Sequence, residues 1–164
     1  TAHEIGHSTQ CATMTRNEFL DVDDLLIESW GEFVQGLLTY IEYGYIGLYN
    51  PDIVSFEYYC NSPIYGFGIK NAIKWPTINH DNYTSLFIDL YDNSNQRSNY
   101  GLTTLPNDNI TGYSPSFLNA MINQCYDLED IRVYLKTSLP PTITSTMIDN
   151  FINFYIENKP NENN

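Results

Sequence analysis

Basic residues are scarce in this chain. Seven Lys and Arg stand against twenty Asp and Glu in 164 residues, a formal net charge of −13. A nucleic-acid partner needs a basic surface to meet phosphate, and single-stranded binders set their aromatics in a positively charged groove. No cluster of Lys and Arg exists to do either. Long hydrophobic runs are also missing. None approaches the roughly 20 residues of a membrane helix, so no membrane contact is expected of this segment itself. Cysteine is limited to Cys11, Cys60 and Cys125, with no C-x-x-C pair, which argues against a zinc ribbon or a redox motif. One disulfide plus a thiol, or three thiols, both fit, and the compartment stays open. Histidine occurs only three times.

What is present is a globular composition, 42% hydrophobic and 15% aromatic with fourteen tyrosines, outside the range of disordered chains. The length suits one domain. No internal repeat is visible, and a single domain over 1–158 is expected, with 159–164 a disordered tail.

Residues 1 to about 10 read as the end of a helix, followed by the polar, irregular "STQCATMTRNEF". The strongest helix runs from Asp21 to Tyr43, where Leu26, Trp30, Phe33, Val34, Leu37, Leu38 and Ile41 form one apolar stripe. Asp21 or Asp23 can cap its start and Gly44 can end it. From Gly44 to about Thr77 the chain is rich in Gly, Tyr, Pro and Asn and reads as loops. "YTSLFIDLYD" reads as a buried strand, so a short strand or hairpin is expected near 84–92. Asp89 and Asp92 in it are explained by a capped strand end and a turn. An extended surface loop follows, then three helices with apolar faces at Phe117–Cys125, Leu128–Leu135 and Met147–Tyr155. Pro140 and Pro141 separate the last two. The fold class expected is α+β, mainly α-helical.

The chemistry concentrates at the start, "TAHEIGHSTQ". His3, Glu4 and His7 have the spacing H-E-x-x-H. Positions four apart share a helix face, so His3 and His7 can reach one metal while Glu4 projects toward its open position. Zinc takes neutral imidazoles and at least one further ligand, and leaves a position for water. It lowers that water's pKa, and Glu4 would accept the proton as the water attacks a peptide carbonyl, then pass it to the leaving amine. The competing reading is a helix end with two surface histidines. A third ligand discriminates between classes. The metzincin pattern requires glycine at position 10 and histidine at position 13, where this chain has Gln10 and Thr13.

The remaining pattern resembles the gluzincins of the thermolysin type, in which a glutamate from a following helix completes the site. Glu28 lies 21 residues after His7 in "ESWGE", with Glu32 one turn further on. The resemblance implies Zn2+ held by His3, His7 and Glu28, with Glu4 as general base and Glu32 orienting a histidine. On helical spacing alone, Glu28 and Glu32 could equally line a solvated face with Gln35 and Thr39. Asp21, Asp23 and Asp24 are also within reach, and His3, His7 and Cys11 could form a different site along one helix. Stabilising an oxyanion needs a donor, for which His80, Tyr40, Tyr43, Tyr45 and Tyr83 are candidates and none is singled out.

Taken together, "HEIGH", "ESWGEFVQGLLTYIEY", "YTSLFIDLYDNSNQ" and "NDNITGYSPSFLNAMIN" resemble poorly characterised bacterial cell-envelope lipoproteins with a zinc-metallopeptidase-like domain. The resemblance covers residues 3 to about 125. It implies the helical C-terminal part of a zincin-like domain, acting on a peptide or protein substrate, extracytoplasmic, in a lipid-anchored or secreted parent. A zinc helix that starts at residue 3 lacks a preceding turn, and the edge strand along which substrate lies in gluzincins is not among these residues. A C-terminal fragment is therefore expected, with the N-terminal part of the same protein as a missing partner. The rival expectation is a non-catalytic cell-surface binding module, for protein or glycan, that uses the aromatic segment 40–67 and retains H-E-x-x-H as a relic.

Overall fold

In the computed structural model, residues 2–39, 41, 84–93, 95, 97–98 and 106–158 are described. They form seven helices: α1 (Ala2–Cys11), α2 (Arg16–Leu20), α3 (Asp24–Thr39), α4 (Leu86–Tyr91), α5 (Pro115–Ile122), α6 (Leu128–Lys136) and α7 (Ser145–Asn158). The chain is mainly helical. No strand occurs among the described residues, and no described helix is long and apolar enough to cross a membrane.

The helix ends follow from local chemistry. Asp23 rather than Asp21 starts α3: its carboxylate accepts from Leu25 N at 3.0 Å and its carbonyl from Leu26 N at 2.8 Å. Asp21 is already used as the C-cap of α2, so the expected start at Asp21 moves in by three residues. The α2 helix itself was not expected within the polar stretch. Thr15 and Glu18 form a reciprocal capping box, Thr15 N donating to Glu18 Oε2 at 2.7 Å and Glu18 N to Thr15 Oγ1 at 3.3 Å. The three C-terminal helices lie where the apolar faces place them. Ser114 caps α5 ahead of Pro115 in the first turn, and Asp127 caps α6.

The expected strand near 84–92 is instead α4. A short apolar run reads the same whether it is a buried strand or a buried helix. Here Leu86, Phe87, Ile88, Asp89 and Leu90 are all buried, and the enclosed Asp89 decides the matter. Its Oδ2 accepts from Ser85 Oγ, one helical turn away, at 2.9 Å and from Tyr155 OH at 3.0 Å. A buried carboxylate requires such donors. Burial, with the charges of Asp89 and Asp108, holds the Tyr155 phenol protonated well above its ordinary range. This contact joins α4 to α7.

The hydrophobic core is one cluster drawn from α3 to α7, with Trp30, Phe33 and Phe87 packed ring against ring. The expected stripe on α3 holds over Leu26, Trp30 and Phe33. It thins out at its end, where Leu38 and Ile41 are exposed. The loops expected over 44–77, Gly44, the aromatic segment 40–67 and the tail 159–164 lie outside the described residues, apart from Ile41.

Helix α1 lies on α3 at unusually close range. A Cβ built on Gly6 would stand 2.9 Å from Gly31 Cα, 3.3 Å from Val34 Cβ and 3.4 Å from Gly31 N. Two of these neighbours are backbone, so the helices would have to separate. Alanine in place of a mid-helix glycine normally gains about 1 kcal/mol, whereas overpacking costs about 1–3 kcal/mol. Gly6→Ala is therefore expected to lower stability in urea unfolding, and a more stable variant would show that α1 is not seated this closely.

Candidate metal centre

The close seating of α1 brings two pairs of side chains together, each pair one helical turn apart: His3 and His7 on α1, Glu28 and Glu32 on α3. His3 Nε2 lies 2.8 Å from His7 Nε2 and 3.2 Å from Glu28 Oε2. His7 Nε2 is 3.7 Å from Glu28 Oε1. One potential ligand atom from each of His3, His7 and Glu28 falls within 4.8 Å of the others. On the far side of the His3 ring, Nδ1 is 3.5 Å from Glu32 Oε1. The imidazoles meet edge to face at 85°, and both Nε2 atoms face the Glu28 carboxylate.

The donor set fits zinc. Two imidazoles and one carboxylate with a position left over is the catalytic pattern, whereas structural sites close all four. Nitrogen ligands about 2.0–2.1 Å from a tetrahedral zinc lie about 3.3 Å apart, within half an ångström of the His3–His7 separation. Burial holds the His7 pKa below its ordinary 6.5; Glu28 opposes the shift, His3 adds to it and Glu4 opposes it. At neutral pH His7 is thus a neutral imidazole, the form that ligates. Glu4 is exposed on α1, close enough for its charge to act on His7.

Each residue of "ESWGE" has a separate task. Glu28 meets both histidines. Ser29 Oγ accepts from Thr84 N at 2.8 Å and lies 3.0 Å from Thr84 Oγ1, tying α3 to the chain entering α4. Trp30 Nε1 donates to Thr9 Oγ1 at 2.9 Å and to Gly6 O at 3.2 Å, which fixes α1 against α3. Gly31 leaves room for a ring: a Cβ there would stand 2.6 Å from His3 Cε1. Glu32 faces His3 Nδ1. Sequence reasoning picked out the two glutamates and missed Ser29, the indole N–H and Gly31. A glycine in the middle of a strong helix was the available signal.

Several other candidates do not join the cluster. Among the described residues, His3, His7 and Glu28 are the one group of three metal-ligating side chains, and it includes none of Asp21, Asp23, Asp24 and Cys11. Helix α1 is continuous to Cys11, yet that thiol is exposed to solvent. His80, Tyr40, Tyr43, Tyr45 and Tyr83 lie outside the described residues. Comparison with family models, curated proteins and solved structures finds no match.

The lowered His7 pKa has a definite sign for stability. Unfolded chains bind the proton first as pH falls through 6.5, so the stability linked to a neutral His7 is complete above that value and declines below it. In chelator-treated protein, an NMR titration is expected to show His7 protonating below the ordinary imidazole range. The urea midpoint should fall from pH 7 to 5 less steeply in His7→Ala than in the wild type.

Proposed function

We propose that this chain carries the metal centre of a zinc-dependent metallopeptidase of the gluzincin kind. His3, His7 and Glu28 are the ligands, Glu4 is the general base and Glu32 orients His3. The observation that carries the reading is the convergence of His3, His7 and Glu28 from two helices. A helix end with two incidental surface histidines has no need of such convergence.

When bound, zinc supplies Lewis acidity toward a peptide carbonyl and a water of lowered pKa. The protein groups do the rest. Glu4, exposed beside the histidines, accepts the proton of the attacking water on its carboxylate and delivers it to the leaving amine. Glu32 accepts from His3 Nδ1–H, which commits the Nε2 lone pair to the metal. Glu28 supplies negative charge that offsets part of the cation's. The substrate class is a peptide or protein. The reading also takes the protein as extracytoplasmic, on its resemblance to cell-envelope lipoproteins.

Zinc content by mass spectrometry tests the reading. One zinc per chain is expected after reloading and dialysis. Glu28→Ala should weaken binding by more than the roughly 10–100-fold that loss of an outer hydrogen-bond partner costs. Glu4→Gln should keep the zinc and abolish peptide hydrolysis by any form of the protein that shows it. Zinc held equally well by Glu28→Ala would move the third ligand elsewhere. A wild type that takes up no zinc would leave the binding-module reading in its place.

A further inference from the structure

On helix α1, two buried polar groups have no hydrogen-bond partner. One is His7 Nδ1. The other is the carboxamide of Gln10, at both Oε1 and Nε2. Gln10 is fully enclosed, at 0% exposure. Burying an amide without partners is costly, and native proteins rarely retain such a group without a use for it.

The two orphans are neighbours. Gln10 follows His7 by three residues on α1, so both occupy one helix face. The tautomer chemistry supplies the reason for an acceptor there. In the tautomer in which His7 Nε2 donates to His3 Nε2 across their 2.8 Å contact, Nδ1 carries no proton. Once Nε2 ligates a metal, the neutral ring holds its proton on Nδ1. That N–H is buried and needs an acceptor. Ligating histidines almost always have one, and on His3 the matching position faces Glu32.

We propose that Gln10 is the positioning residue of His7, its Oε1 accepting from Nδ1–H so that Nε2 is presented to the metal. This rests on the metal-centre reading. Gln10 lies three positions beyond H-E-x-x-H, so the functional motif extends to H-E-x-x-H-x-x-Q. The two ligands are also supported differently, His3 by a carboxylate and His7 by a neutral amide that adds no charge to an already acidic site.

The test uses the full chain, with zinc affinity measured against a competing chelator and the His7 ring observed by 15N NMR. In the zinc-loaded wild type, His7 Hδ1 is expected to be protected from solvent exchange and to show an Overhauser contact with the Gln10 amide protons. Gln10→Leu should bind zinc about 10-fold or more weakly, in the range found for outer partners of zinc ligands, while its chelator-treated form unfolds at the same or higher urea concentration. Gln10→Glu, which keeps an acceptor oxygen, should stay within about threefold of wild type, since carboxylates serve this role in other zinc sites. Opposite directions of stability and affinity in Gln10→Leu are what a merely structural residue does not give. Wild-type protein that binds zinc without the Overhauser contact, or Gln10→Leu that binds as tightly as wild type, would overturn the role of Gln10 alone. Wild-type protein that binds no zinc would overturn the metal centre and this role with it.

Discussion

The distance between α1 and α3 governs everything proposed here. Packed helices usually stand 8–10 Å apart, set by the side chains at their contact. At the crossing of α1 and α3 those residues are Gly6 and Gly31, with backbone meeting backbone. Histidine and glutamate have short arms. The close seating sets an imidazole on α1 against a carboxylate on α3. Gly31 serves twice, because the space its missing side chain leaves is filled by the His3 ring. Each glycine costs about 1 kcal/mol against alanine in a helix interior. Part of that is offset by the Trp30 indole, which donates into α1 at Gly6 and Thr9.

This dependence explains which parts of the site were legible in the sequence. H-E-x-x-H is a local pattern, and helical periodicity alone places His3 and His7 on one face. The interval to Glu28 and its spacing from Glu32 are also one-dimensional, which is why a family resemblance could single them out. Ser29, Trp30 and Gly31 are different. Trp30 reads as one more apolar residue on the stripe of α3, and its N–H acquires a partner only when α1 lies alongside. Gly31 reads as a weak point until His3 is seen beside it. The same division runs through the fold. Long periodic segments gave α3, α5, α6 and α7. The short ones did not: α2 was passed over although Thr15-x-x-Glu18 is a legible capping box, and α4 was read as a strand. In α4 the deciding interaction, Tyr155 OH with Asp89, spans 66 residues and has no local trace.

On the metal-centre reading, one cation would serve the polar groups that surround the two imidazoles. With both imidazoles neutral, each has one N–H, and His3 and His7 together offer two. Around them stand two facing Nε2 atoms, both oxygens of Glu28 and Oε1 of Glu32, all within 3.7 Å of an imidazole nitrogen. If His3 donates to Glu32, a single remaining proton must serve the Nε2 pair and Glu28. Any choice leaves at least one carboxylate oxygen facing a lone pair. An added proton on His7 would relieve this, but burial disfavours that charge and holds its pKa down. On the proposed reading a divalent cation would relieve it without a proton, with His3, His7 and Glu28 as ligands and Glu32 keeping the His3 Nδ1–H. The cost would fall elsewhere, because a neutral His7 that ligates through Nε2 would hold its proton on the buried Nδ1. On that reading the carboxylate of Glu28 and the enclosed amide of Gln10 answer one requirement: positive charge at the Nε2 atoms, and an acceptor behind the ring.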